Sequence, residues 1–541
     1  MPRQKAPALT RRELLLAASA ASLVGCGRDA GSPAAQSVLV RGNGPDPDSL
    51  DPHKARSWEA MVVLRDLFEC LTRLDANAAT VPAAAESWTV SEDGLVYVFR
   101  LRANLKWSNG EAVVADDFAA GLRRLVDPAT ASQYAQVIDV VLNASDIVAG
   151  KKPAAELGVA AEGARTLTIT LATPAPYLPG LLAHPSTAPL HRPSLEKFGE
   201  RFARAGDQVS NGAFALAEWM QGSYIRATRN PHYWNAAAVK LEAVKYAQIA
   251  DESAELRAYR AGELHCTAVV PRGQFDFIRE NLANELHISP QLSIYYFGFN
   301  LDRPLFQNPD LRRALSLVID RERLADSVLR VGELPAYSWV PPGVFNYTAQ
   351  AFDYAKRKMP DRIEEARKLL AAAGFTRDKP LKFELRYNTG EVHSKIAVAV
   401  ASMWKEALGV EASLAAVEFR SLMQDVDRRD VDVFRLSWIG DYNDPYTFLQ
   451  YLKSDFGINL PRYKNQRYDA LLDQGARQVD VAKRRDFLEQ AERAMLADHP
   501  VMPLYFYVNK HLVKPELVGW YDNVMNVVYS QDLSLKAPAA R

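Results

Sequence analysis

Val431-Asp432-Val433-Phe434-Arg435-Leu436-Ser437-Trp438-Ile439-Gly440-Asp441 is an apolar run that carries one arginine and ends at a glycine followed by an acid. As a strand it puts Arg435 and Ser437 on one face, and Gly440 lets the chain turn just before Asp441. Upstream, Ile396, Val400, Met403, Trp404 and Leu408 form a helical apolar stripe stopped at Gly409. Ile363, Ala366, Leu369 and Leu370 form another, stopped at Gly374. Stripes of this kind are core and receive no functional role. From Leu381 to Leu436 strands and helices alternate, which predicts a βαβ-rich domain of its own. Val96 to Arg102 reads as a strand, and Leu167, Ile169 and Leu171 alternate with threonines as another. Behind a capped start at Asn308-Pro309-Asp310, Leu311, Leu315, Val318, Ile319 and Val328 recur at helical spacing. The fold class expected is α/β.

The N-terminal end points outside the cytoplasm. Arg3, Lys5, Arg11 and Arg12 precede an uncharged stretch from Leu14 to Val24, shorter than the ~20 apolar residues a membrane span needs. Leu23-Val24-Gly25-Cys26 resembles a bacterial lipobox, in which Cys26 takes a diacylglycerol and becomes the mature N-terminus. An ordinary signal peptide with a chance cysteine is the alternative. Thr10-Arg11-Arg12-Glu13-Leu14-Leu15 also looks like a twin-arginine signal, so the export route stays open. Residues 1–26 are then leader and lipobox, and residues 27–37, rich in Gly, Ser, Ala and Pro, a flexible tether. No later run is long and uncharged, so a soluble body held by a lipid is expected, in the periplasm or at the cell surface.

The remaining chain of roughly 515 residues exceeds the ~250–300 at which single cores stop growing, so two or three domains are expected. Lys+Arg 65 balance Asp+Glu 65, which leaves no global field to favour nucleic acid or an anionic membrane. Besides Cys26 only Cys70 and Cys266 remain. They have the option of pairing, but the apolar helical context Leu67-Phe68-Glu69-Cys70-Leu71 favours buried thiols. No Gly-x-Ser-x-Gly elbow, His-Glu-x-x-His or Walker loop occurs, so neither an enzyme nor a metal or other cofactor is expected.

A chain-wide resemblance begins at Arg41-Gly42-Asn43-Gly44-Pro45-Asp46-Pro47-Asp48-Ser49-Leu50-Asp51-Pro52-His53. It continues through Arg65-Asp66-Leu67-Phe68-Glu69, Ala85-Glu86-Ser87-Trp88, Leu105-Lys106-Trp107-Ser108-Asn109-Gly110 and Ala115-Asp116-Asp117-Phe118. Asn211-Gly212-Ala213-Phe214, Arg229-Asn230-Pro231-His232-Tyr233-Trp234 and Gly440-Asp441-Tyr442-Asn443-Asp444-Pro445 complete it. Together these resemble the peptide-binding proteins of oligopeptide ABC importers, solute-binding protein family 5. Read as residues they are mostly scaffold: turn formers, and the core aromatics Trp88, Trp107 and Trp234.

The resemblance implies a two-lobed, periplasmic-binding-protein-like fold with a hinge and an extra domain on one lobe. Lobe I would take residues 38–69 with 194–293 and 508–541, the extra domain 70–193, and lobe II 294–507. It also implies a monomer that binds short peptides and hands them to the permease subunits of an importer. A receptor for a murein peptide, a dipeptide or another solute remains open, as does a sensor or chaperone without an importer.

A receptor tolerant of sequence grips what all peptides share: ammonium, carboxylate and backbone. Asp441 matches the family aspartate that binds the α-ammonium; an Asx-turn cap is its structural alternative. Arg435 matches an arginine that receives a C-terminus, against a structural salt bridge; Ser437 shares its face. His393, in Tyr387-Asn388-Thr389-Gly390-Glu391-Val392-His393, matches a histidine serving longer peptides. Trp438, Tyr134 and Tyr507 match aromatic pocket walls, and each is equally compatible with core. The chain also departs from the family. Ser293 and Ile439 stand where some members carry a cysteine pair, Leu329 with Arg330 beside it where some carry a lysine, and Phe419 where some carry a pocket tryptophan.

Overall fold

The computed structural model describes residues 37–536. The leader, Cys26 and nearly all of the tether lie outside the described residues. Among those described, no helix is long and apolar enough to cross a membrane.

Three sheets organise the chain. One of four strands runs in the order Val38–Gly42, Ala243–Ala247, Tyr224–Arg229, Phe214–Met220, with the first pair parallel and the rest antiparallel. A second, Ala85–Val90, Val96–Leu101, Thr166–Thr170, Val159–Glu162, is antiparallel throughout. Both contribute to one continuous core, from Phe99 and Ile169 to Ile225 and Tyr246. The largest sheet has six strands: Leu334–Pro335, Val501–Leu512, Leu286–Phe299, Val433–Ile439, Lys382–Asn388 and Glu411–Val417. It builds a separate core around Tyr296, Trp339, Phe383 and Trp404. The fold is an α/β architecture with two principal bodies.

The alternation read between Leu381 and Leu436 is present as strand Lys382–Asn388, helix Glu391–Leu408, strand Glu411–Val417, helix Phe419–Asp427 and strand Val433–Ile439. The three strands are mutually parallel, with Leu385 opposite both Leu414 and Val433. They do not form a domain of their own. Val433–Ile439 also pairs antiparallel with Ser293–Phe299, which places it in the middle of the six-stranded sheet and buries Val433 and Phe434. A three-stranded parallel sheet would have exposed that edge and an apolar face.

Two long strands, Leu286–Phe299 and Val501–Leu512, run through the molecule together. Their register breaks midway: Pro290 faces Val508 and Ile294 faces Phe506, four steps on one strand against two on the other. At the break Leu292 turns to other partners, donating N–H to Val524 O at 3.0 Å and accepting from Gly440 N at 2.8 Å.

Two expectations need correction. The helix expected from Leu311 through Val328 stops at Leu317 and restarts at Arg321. Asp320 caps the restart by accepting from Arg323 N at 2.9 Å. Buried Arg321 serves carbonyls at the broken end, Ser316 O and Ile319 O, each at 3.3 Å, and reaches Pro503 O at 2.8 Å. The guanidinium thereby satisfies carbonyls that the interruption leaves without helical partners. Cys70 lies beyond the end of the helix Trp58–Leu67 rather than on it, its Sγ donating to His184 O at 3.3 Å. Cys70 and Cys266 are nevertheless free and buried, and burial pushes the thiols up to about 12 and about 11.

The separated motifs converge as scaffold. Glu69 accepts from Trp234 Nε1 at 2.6 Å and from Tyr233 OH, while its backbone exchanges hydrogen bonds with the Asn211 amide at 3.0 and 2.8 Å. Asp51 takes a bidentate pair from Arg124 at 2.8 and 2.7 Å, with His53 beside it. Trp107 is fully buried, and Trp88 is half-buried against Phe99.

Candidate functional site

The carboxyl ends of the three parallel strands lie together at one end of the sheet, where α/β folds place their ligands. They carry Asn388 and, just beyond, His393; Val417 and Phe419; and Ile439, Gly440 and Asp441.

Arg435 anchors the first cluster. The residue is 5% exposed, and its guanidinium lies 4.2 Å over the Tyr295 ring. It donates to Asn388 Oδ1 at 2.9 Å and to Tyr507 OH at 3.1 Å, while its buried Nε has no partner among the described residues. His393 stacks on the same Tyr295 at 5.7 Å, with Nδ1 3.3 Å from the phenol oxygen. Gly390, at φ 150, leaves room for that ring: a Cβ there would stand 3.0 Å from His393 Cδ2. Partial burial, and then the Arg435 charge, hold His393 down at about 4, so it is neutral at pH 7 and offers a hydrogen bond rather than a charge. Arg435, His393 and Tyr507 therefore meet through Tyr295 and Asn388. Neither connecting residue stood out in the sequence, because their proximity depends on strand order. Tyr507 sits against Tyr295 at 6.4 Å and Tyr505 at 5.1 Å.

Ser437 follows on the same face, half-buried. Trp438 does not. Alternation turns it to the opposite face, where its ring lies 4.8 Å from Tyr451 and Nε1 donates to Thr447 O at 2.8 Å. It packs as a partly buried member of the lobe core rather than beside Arg435.

Beyond Ile439 the chain turns at Gly440, whose backbone lies so close to Leu292 that a Cβ would stand 2.6 Å from its Cδ2. Asp441 N then donates to Thr447 Oγ1 at 3.1 Å. Among the described residues the Asp441 carboxylate has no hydrogen bond and no ion pair. Its pKa is raised, first by the protein packed around it and then by the Asp139 charge, although the residue still reaches solvent. Its neighbour Asp444 is, by contrast, locked to Arg484 at 2.6 and 2.8 Å.

Opposite this loop stands the segment around Tyr134. Tyr134 packs on His184 at 4.8 Å, donates to Arg56 O at 3.4 Å, and has its pKa raised by burial and, in smaller part, by the Asp441 charge. Tyr177 stacks on Tyr442 at 4.5 Å, and Asn443 Nδ2 donates to Ala78 O at 2.8 Å, which ties the two bodies beside Asp441.

On the 382–388 side, the strand Val433–Ile439 pairs only at Val433 and Phe434. From Arg435 to Ile439 that edge has no ladder partner among the described residues. One strand thus presents a guanidinium, a free backbone edge and an unpaired carboxylate in order.

Comparison with known proteins agrees with this geometry. The sequence model of the bacterial extracellular solute-binding proteins, family 5 Middle, matches residues 79–459. The periplasmic oligopeptide-binding protein OppA of Salmonella typhimurium is 39% identical over 486 residues, 89% of either chain. The unliganded open form of the periplasmic murein tripeptide binding protein MppA superposes with a TM-score of 0.89 at 36% identity, covering 92% of this chain and 97% of that one. Haemophilus influenzae OppA in complex with RPPGFSPFR gives 0.69 at 35% identity, over 92% and 99%. The chain belongs to the bacterial extracellular solute-binding proteins of family 5, which are transport receptors and not enzymes.

Proposed function

We propose that this chain is a periplasmic, lipid-anchored receptor that encloses short peptides between two lobes and delivers them to an ABC importer. The carrying observation is the strand Val433–Ile439, with an unpaired acid just past one end, an arginine that meets no acid among the described residues towards the other, and an open backbone edge between. A ligand strand added to that edge takes main-chain hydrogen bonds without regard to sequence, while Asp441 meets its ammonium and Arg435 its carboxylate. Six residue steps from Arg435 to Asp441 amount to at most roughly 20 Å, less the reach of the side chains, which suits an extended ligand of a few residues. His393, Tyr134, Tyr507 and Ser437 border the same site, and Trp438 supports it from behind.

The lobes in this reading are residues 38–69, 194–293 and 508–541 on one side and 294–507 on the other, with 70–193 added to the first. The register break at Pro290 and Ile294, opposite Val508 and Phe506, falls where the lobes would hinge. The fall in TM-score from 0.89 to 0.69 at nearly equal identity and coverage supports an open, ligand-ready arrangement. The peptide-binding names of the relatives support the ligand class, and their periplasmic description supports the compartment.

Native mass spectrometry of the purified protein, followed by denaturation and sequencing of what is released, tests the ligand. Short peptides of mixed sequence are the expected result. One murein peptide would narrow the reading, and a single non-peptide mass would end it. For the anchor, Cys26→Ser is expected to move the protein from the membrane fraction to the soluble one; unchanged fractionation would remove the lipid from the account.

A further inference from the structure

Ile439 is 63% exposed, the highest value among the large apolar side chains of the described residues. Single exposed apolar residues are ordinary on protein surfaces. This one is placed differently. It closes a central strand at the carboxyl end of the sheet, and alternation gives it the face of Arg435 and Ser437. Its partner across the ladder, Ser293, is 1% exposed and offers no apolar cover. Its other side is the unpaired edge that begins after Phe434. It cannot turn inwards. Gly440 N is held by Leu292 O at 2.8 Å, and the glycine backbone is pressed against Leu292 and Phe448. Two residues further on stands the Asp441 carboxylate, with no cation to pair it among the described residues.

We infer that Ile439 is a specificity-determining residue, the floor of a subsite that selects an apolar side chain on the first or second residue of the ligand. The inference rests on Asp441 holding the ligand's ammonium, because that charge fixes which end of the ligand lies beside Ile439. Directly opposed side chains on neighbouring strands share a face at about 5 Å, so a ligand strand on this edge brings an early side chain onto the isoleucine. Covering both apolar groups on closure removes their surface from water, while a polar ligand side chain leaves Ile439 buried against an unsatisfied group.

The test is isothermal titration of the purified full-length protein with tripeptides carrying Leu, Ala or Lys at the first or second position. Leu is expected to bind about ten-fold more tightly than Ala at one of the two positions. In Ile439→Ser that preference should fall below about two-fold, and in Ile439→Glu the order of Leu and Lys should reverse. Because Ile439 is exposed, thermal unfolding of both variants should match that of the unmutated protein. A Leu preference that is absent in the unmutated protein, or unchanged in Ile439→Ser, overturns the inference and leaves peptide capture standing. Failure of every tripeptide to bind the unmutated protein overturns peptide capture, and the subsite with it.

Discussion

Asp441→Ala is expected to weaken binding of free-amine peptides by at least about 30-fold, the cost of truncating one partner of a hydrogen-bonded charge pair that closure desolvates. N-acetylated peptides should bind the variant and the unmutated protein alike, since they bring no ammonium. Equal affinity of the unmutated protein for free and acetylated peptides would remove the ammonium role. The unliganded protein carries a second signature. The Asp441 pKa is raised, first by desolvation and then by the Asp139 charge, so its ionised form is disfavoured in the folded chain. A carboxyl whose folded pKa exceeds its unfolded value imposes no cost at low pH, where both states are protonated. It imposes a cost once pH rises through the unfolded value towards the folded one, and that cost persists above both. Asp441→Asn should therefore raise the thermal stability of the unliganded protein at pH 7 and leave it unchanged at pH 3, measured by calorimetry. An Asx-turn cap predicts no such gain, because the asparagine amide oxygen caps as the carboxylate does. Bound ammonium lowers the Asp441 pKa, so peptide affinity should fall as pH drops through the folded value.

These expectations depend on a site of which the sequence disclosed one strand and concealed its surroundings. Alternation within 431–441 was enough to align Arg435 with Ser437 and to place Asp441 past a turn, because strand period and glycine act locally. The same alternation turns Trp438 away from Arg435, onto Tyr451. The sequence left Trp438 open between pocket wall and core, and its partly buried packing is what the strand pattern alone could place. Asn388, Tyr295 and Tyr507 come within reach of Arg435 from three other strands. Only the sheet order brings them there, and sheet order is a long-range property. The interrupted helix after Leu317 was hidden for a similar reason: the apolar spacing continues through Val318 and Ile319, and the carbonyls that Arg321 meets at the break include one on a distant strand. The scaffold was far more legible, since Asn211 and Trp234 each bond to Glu69 through groups already present in their motifs.

Arg435→Gln is the other substitution with a large expected effect, and its consequences should be readable at His393. The guanidinium donates to two neutral acceptors, Asn388 Oδ1 and Tyr507 OH, and among the described residues pairs with no acid, which leaves its charge to be met by a ligand carboxylate. A hydrogen bond to a charged group contributes about 1.5–3 kcal/mol, so peptides with a free carboxylate should lose about 10- to 150-fold in affinity. Peptides amidated at the C-terminus should lose much less. Equal losses would mean that Arg435 only braces Asn388 and Tyr507. His393 separates these cases further. Its pKa is lowered from 6.5 to about 4, first by burial and then by the Arg435 charge. Removing that charge should move the His393 resonance upwards in an NMR titration, though not fully to 6.5, because burial remains. A histidine whose folded pKa lies below its unfolded value costs stability as pH falls from 6.5 towards 4. That acid-side loss should be smaller in Arg435→Gln, against a lower stability at pH 7 from the bonds lost at Asn388 and Tyr507. In the unmutated protein, a ligand carboxylate that neutralises Arg435 should raise His393 in the same way. Free-acid peptides should then produce the upward shift and amidated peptides should not, a contrast that identifies Arg435 as the group receiving the carboxylate.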